Sequence, residues 1–190
     1  MSFLKKLWHF IWHEDSLASW VTTVILAVII VKFIFYPVLG FFLGTNFPIV
    51  AVVSESMEHN KNFENWWSLN SNFYESLNIT KEEFSSYSFK NGFNKGDLMI
   101  LIAPKNIKRG NVLVYHSASH SNPIIHRAVI INDKISTKGD NVNRIQEFEK
   151  EIPRDSIIGK AILRIPFVGY IKIIFTELIV SPLMKLFGGS

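Results

Sequence analysis

The chain has no cysteine among its 190 residues. That excludes disulfides, thiolate metal sites and a cysteine nucleophile, and it fits an extracytoplasmic domain without establishing one. There is no basic run either. Twenty lysines and arginines against sixteen acids leave a net charge of +4 spread along the chain, so nucleic acid is not an expected partner. Basic residues beside an apolar segment suit anionic lipid instead. No HExxH motif occurs. His116, His120 and His126 make a sparse set in a stretch, 116–126, whose Ser, Asn and Pro content reads as a loop, where i, i+4 spacing has no helical meaning. No metal and no cofactor are expected. Internal repeats and long linkers are also missing, and the length gives room for one ordinary domain plus membrane-associated segments.

What is abundant is apolar sequence, concentrated at the two ends. Residues 1–15 form an N-terminal tail in which Phe3, Leu4, Leu7, Trp8 and Ile11 fall at helical spacing with Lys5, Lys6, His9 and His13 mostly between them, the pattern of an interfacial helix. Glu14, Asp15 and Ser16 then supply a cap and an acidic first turn. Residues 16–44 read as a transmembrane anchor. From Leu17 to Tyr36 the only charge is Lys32, over about 30 Å of helix. Lys32 lies near enough to the end of that stretch to reach the interface, Trp20 and Tyr36 are placed as interface anchors, and Pro37, Gly40 and Gly44 then loosen the helix. The apolar segment exceeds the core of a cleavable signal peptide and no small-x-small cleavage site follows it. Lys5 and Lys6 favour a cytoplasmic N-terminus. The expectation is a single-pass protein of the plasma membrane whose remaining chain lies outside.

Residues 45–166 read as an extracytoplasmic β domain. Residues 48–53 form a strand that ends at Ser54-Glu55-Ser56-Met57. An insertion, 58–94, is rich in Asn and aromatics, with one or two short helices expected. Trp66 and Trp67 in it suit a lipid interface, a substrate groove or simple packing. Asn78-Ile79-Thr80 is the one N-glycosylation sequon, which makes Asn78 a candidate acceptor. Leu98–Ala103, Val112–His116, Pro123–Ile131, Lys134–Lys138 and Ile157–Ile165 are short strands, with Asn132-Asp133 as a hairpin turn. This spacing predicts a mostly β fold with a largely antiparallel sheet. The C-terminal segment, 167–190, is apolar and helical in texture, but Lys172 and Glu177 make it expensive as a span, and a membrane-surface position is expected.

Three residues from separate strand ends or loops suit a Ser–His–Asp site: Ser56, His126 in an apolar strand, and Asp140 in a glycine turn at the end of the adjoining hairpin strand. A histidine in a strand is more often structural than basic, so these residues alone do not decide the matter.

In order along the chain, VVSESMEHN, KGDLMILIAPKNIKRGNVLVY, IIHRAV, STKGDN and IIGKAILRIPFVGYIK resemble the boxes of type I signal peptidases. A histidine before the arginine is the pattern of the archaeal and endoplasmic-reticulum branch, where the bacterial enzymes carry a lysine. The resemblance implies a signal-peptidase-like antiparallel β catalytic domain and a membrane-anchored serine endopeptidase. It would cut signal peptides from preproteins after small residues. By resemblance Ser56 is the nucleophile, His126 the general base and Asp140 the orienting acid. The Ser56 N–H and the Ser54 hydroxyl would serve the oxyanion. Signal peptides, the lipid bilayer and the protein-export translocon are the partners it implies. Glu55 replaces the usual glycine of the first box and His59 a common proline. A second aspartate expected about six residues after the Gly139-Asp140 pair is replaced by Gln146, so either Asp140 carries the orienting role alone or, with a register shift, a nearby glutamate takes it; Glu147 is the alternative acid expected, with Glu149 close by. These departures keep open a second reading, a catalytically impaired binding or scaffold subunit. With no eukaryotic feature in the sequence, an archaeal source is expected.

Overall fold

The computed structural model describes residues 2–60, 62–131 and 134–175. The chain divides into two compact units, one ending at Phe42 and one beginning at Leu43.

In the first unit, helix α1 (Phe3–His13) carries Trp8 and Trp12 exposed, ring to ring at 5.5 Å. It turns into helix α2 (Leu17–Ile30), whose N-terminus is capped by Ser16 accepting from the Ser19 N–H at 3.1 Å. The Ser19 hydroxyl donates back to the Phe10 carbonyl at 2.7 Å. The helix does not stop at Pro37. It widens into a π turn over Val31–Phe35 and resumes as α3 (Tyr36–Leu43), giving 27 continuous helical residues. Proline has no N–H to give to the turn before it, and a π turn absorbs that gap without ending the helix. Leu17–Leu43 is long and apolar enough to cross a bilayer.

The second unit is a six-stranded antiparallel sheet made of β1 (Ile49–Ala51), β2 (Leu98–Ile102), β3 (Val112–Ser117), β4 (His120–Ile131), β5 (Lys134–Lys138) and β6 (Ile157–Ile165), in the order β1-β2-β6-β3-β4-β5. The mostly β, antiparallel expectation holds. One side of the sheet packs around Met57, Met99, Leu101, Val112 and Val114, and another cluster forms around Leu113, Tyr115, Ile124 and Ile157.

The 116–126 stretch is not the expected loop: β3 runs to Ser117 and β4 starts at His120. Pro123 is tolerated there because β5 pairs only with Arg127 to Ile131, so the first half of β4 has no β5 partner and owes that side no N–H. The expected turn at 132–133, like 176–190 of the C-terminal segment, lies outside the described residues. Gly169–Phe175 is the helix α6.

The insertion folds as α4 (Phe63–Glu75) and α5 (Lys81–Ser85). Asn62 caps α4 through the Asn65 N–H, and Thr80 caps α5 through the Glu83 N–H. Trp66, Trp67, Tyr74 and Phe84 are buried together with Val129 of β4, so the two tryptophans pack the insertion onto the sheet and face neither lipid nor a groove. Asn78 stands exposed after α4 with φ 55°.

Candidate active site

Ser56 follows β1 by five residues, after the backbone has been tied to the β2 entrance: the Val52 N–H donates to the Asp97 carbonyl at 2.8 Å and the Gly96 N–H to the Val52 carbonyl at 2.9 Å. Met57 beyond it is fully buried in the core. Ser56 therefore sits where a rigid segment leaves the sheet. Its carbonyl accepts from the Asn141 N–H at 2.8 Å, while the Asn141 side chain donates to the Glu55 carbonyl at 3.1 Å. The Glu55 side chain is exposed, and Glu55 is not among the positive-φ residues. A glycine is therefore not required there.

His126 reaches this point from β4. Its Nε2 lies 2.8 Å from Ser56 Oγ, and Ser56 Oγ lies 3.1 Å from Ser54 Oγ. A Cβ built on Gly139 would come within 2.9 Å of the Ser56 carbonyl oxygen and 3.1 Å of His126 Nε2. The glycine of the 139–140 turn lets two chain segments close on the serine.

The structure brings Ser56 and His126 together, but it does not bring Asp140 to the imidazole. Asp140 is fully buried on another set of partners. Arg127 donates to it from Nε at 2.9 Å and from Nη2 at 2.6 Å, the Tyr74 hydroxyl donates at 3.0 Å, and His59 Nε2 lies at 3.1 Å. Arg127 also donates to the carbonyls of Ser88, Gly110 and Phe89 and stands over the Phe84 ring. Burial by itself would raise the Asp140 carboxyl, but the Arg127 guanidinium and His59 outweigh it and hold the group well below the usual carboxylate range. The orienting role expected of Asp140 thus lacks its geometry, because its oxygens are committed to a buried ion pair.

The carboxylate at the other imidazole nitrogen is Glu149. Its Oε1 lies 2.5 Å from His126 Nδ1, and both side chains are buried. The contact is close without being an aligned hydrogen bond. The same carboxylate accepts from the Gly139 N–H at 3.1 Å and, through Oε2, from the Gln146 N–H at 2.7 Å. Glu149 ends the 3₁₀ turn Glu147–Glu149 and closes a capping box with Gln146. Glu147, the alternative acid expected from the sequence, is exposed and pairs with Lys150, so the structure sets Glu149 and not Glu147 beside the imidazole. No usual sequence signal points to this turn, because Gln146 stands where Ser, Thr, Asp or Asn would mark a capping box. A carboxylate beside Nδ1 favours the tautomer with its proton there and leaves Nε2 to accept from Ser56.

Lys138 is buried beside this set. Its Nζ donates to the Gly139 carbonyl at 3.0 Å and stands over the rings of Phe73 and Tyr74. Burial pushes its ammonium down to about 8, against the pull of Asp140 and Glu149. His116 meets Phe47, and His120 meets Phe148 and Ser119. His120 lines the same cleft as His126, and among the described residues no three metal-ligating side chains converge.

Ser56 and His126 open onto a cleft of about 480 Å³, lined largely by apolar groups that include Ala51, Val53, Ile124, Ile125 and Phe148.

No family model matches the chain. It is 36% identical over 107 residues to the signal peptidase complex catalytic subunit SEC11 of Verticillium alfalfae, covering 48% of this chain and 61% of that protein. It is 34% identical over 105 residues to the subunit of the same name from Colletotrichum graminicola (48% and 61%), and 33% identical over 113 residues to that of Pyricularia oryzae (53% and 64%). The chain thus spans less than two thirds of these relatives' length. They are fungal, which gives no support to the archaeal source expected from the sequence. By sequence the chain is similar to proteins named as the catalytic subunit of the signal peptidase complex.

Proposed function

We propose that the chain is a membrane-anchored serine endopeptidase that removes signal peptides from preproteins, with Ser56 as nucleophile, His126 as general base and Glu149 as the carboxylate behind the base. The observation that carries this reading is the 2.8 Å contact between Ser56 Oγ and His126 Nε2 at the mouth of an apolar cleft. In the first step the Ser56 hydroxyl proton passes to Nε2 as Oγ bonds to the scissile carbonyl carbon. The imidazolium faces Glu149, so the charge that develops is stabilised where it forms. The proton then goes to the leaving amine, and the freed imidazole activates a water that hydrolyses the acyl-serine.

The Ser56 N–H and the Ser54 hydroxyl are the donors for the oxyanion. Turning from Ser56 Oγ toward the carbonyl oxygen costs Ser54 one 3.1 Å contact. Losing such a donor typically lowers turnover about 10²–10³-fold. The apolar walls of the cleft suit an extended segment with small side chains at −1 and −3, which is what the resemblance implies of the substrate.

The helix Leu17–Leu43 holds the site at the bilayer, with the β domain on the extracytoplasmic side. Kinship gives no support to the plasma membrane in particular, so the proposal names the side and not the organelle. Lipid, the emerging preprotein and the translocon that delivers it are the partners of this reading, together with fellow subunits of a complex such as the relatives' name describes.

The test is preprotein cleavage in reconstituted membranes. Ser56→Ala and His126→Ala are expected to abolish the cleaved product, and Glu149→Gln to lower kcat by about 10²–10⁴ with KM little changed. Full activity in the Ser56 variant would overturn the mechanism. A wild-type chain that binds preproteins without cutting them would support the scaffold reading instead.

A further inference from the structure

Two peptide planes flank the nucleophile, and one residue outside the Ser56–His126–Glu149 set holds them both. The Glu55 carbonyl and the Ser56 N–H are opposite ends of a single planar unit. The Asn141 side-chain amide donates to that carbonyl at 3.1 Å, and the Glu58 N–H donates to it as well, also at 3.1 Å. The Ser56 carbonyl belongs to the next plane, and there the Asn141 backbone N–H donates at 2.8 Å. Asn141 thus grips the oxygen of each plane, and a rigid plane carries that constraint to the N–H at its other end.

Asn141 is itself moored. Asp140 before it is fixed by Arg127, Tyr74 and His59, and its N–H meets the Met57 sulfur at 3.3 Å. Val142 after it donates to the Gly139 carbonyl at 3.1 Å. The segment that presents Asn141 is therefore tied to the core, although the residue itself is exposed.

We infer that Asn141 is a positioning residue for the oxyanion donor, acting through the Glu55–Ser56 peptide. This rests on the proposed serine mechanism, in which the Ser56 N–H is that donor. Two effects operate. The plane cannot rotate without losing the bond to Asn141, so the N–H keeps its direction before charge develops. A donor on the carbonyl end also polarises the amide and strengthens its N–H as a donor. Glu58 shares the carbonyl and water can replace an exposed side chain, but neither holds the second plane. The expected effect is about tenfold, below the 10²–10³ typical of losing an oxyanion donor outright. An amide is needed and a carboxylate is not equivalent, since aspartate would set an oxygen against the Glu55 carbonyl where a donor is required.

The test uses the full chain in phospholipid vesicles, a preprotein substrate, and one short peptide with alanine at −1 and −3 made as its C-terminal aldehyde and as its alcohol. The aldehyde adds the Ser56 hydroxyl: Oγ bonds to its carbon and the proton ends on the former carbonyl oxygen, giving a tetrahedral adduct. The alcohol can only bind. Asn141→Ala is expected to lower kcat about tenfold with KM unchanged, to weaken the aldehyde by the same factor, and to leave the alcohol unmoved. Asn141→Asp should lose more on kcat and on the aldehyde, again with KM and the denaturant-unfolding midpoint held. An unchanged kcat in Asn141→Ala overturns the inference. So does an equal loss of aldehyde and alcohol binding, or a lowered unfolding midpoint with full kcat per folded molecule, either of which leaves the residue a purely structural one. Ser56→Ala run beside it separates the two claims. An inactive Ser56 variant with a fully active Asn141→Ala sinks only the positioning role, whereas an active Ser56 variant sinks the mechanism on which it rests.

Discussion

Asp140 and Glu149 are both fully buried carboxylates, and what faces each one sets its task. Asp140 faces a guanidinium and two further donors, so its task is to neutralise Arg127 inside the domain. Asp140→Asn is expected to lower stability by about 3 kcal/mol, the scale for leaving one member of a buried pair uncompensated, as read by denaturant unfolding. Because the folded group sits below its ordinary range, its contribution is complete above about pH 4. It is lost as the pH falls toward the folded value, so the wild type should show an acid-unfolding limb that the variant lacks. Lys138 gives the opposite window. Its folded value of about 8 lies below the ordinary lysine range, so the buried ammonium opposes folding below pH 8 and the penalty fades as the pH rises toward about 10.4. The wild type is expected to gain up to about 3 kcal/mol across that interval, and Lys138→Met to show no such slope. Titrating the unfolding midpoint of both proteins decides this. The sequence brought Ser56 and His126 within sight of each other because each ends or interrupts an apolar run. It could not assign the acid, because the aspartate next to a glycine looks the part while its true partner, Arg127, is the residue after the histidine and points to the other side of the strand.

Among the elements, the insertion 58–94 shows why periodicity was a poor guide. Helix α4 buries Trp66, Trp67 and Tyr74, but Asn and Ser fill the turns between them, and no aliphatic stripe exists to count. Its contents are nevertheless central. Trp66 stacks on His59 at 3.8 Å between ring centres, His59 meets Asp140, and Phe84 lies under Arg127. Phe84→Ala is expected to cost about 3–5 kcal/mol in unfolding and to loosen the 139–140 turn with it. The strand β4 was half read. Its apolar second part announces itself, whereas the Ser-Asn-Pro stretch at its start looks like loop because a strand with one free edge needs no hydrogen-bond donor on that side.

At the scale of the molecule, the helix 17–43 was legible from its lack of charge, and its true length was not, since Pro37 reads as an end until the π turn is seen. The tether should matter for membrane-borne substrates in particular. A chain lacking 1–42 is expected to cleave a short soluble peptide at an unchanged kcat/KM and to lose about 10²-fold or more on a preprotein in vesicles, the scale of an effective-concentration effect. Equal losses on both substrates would mean the helix supports the fold instead. The carboxylate of Glu149 has one more consequence. It holds the N–H groups of Gly139 and Gln146 at once, while Ile152 and Glu151 are hydrogen-bonded to β5 through Ile135 and Ser136. The exposed loop between, with Arg144 in it, is thus fastened at both ends. Trypsin nicking at Arg144 would give two fragments that separate on a denaturing gel yet stay joined in solution, with the serine and histidine on one piece and the carboxylate that serves them on the other.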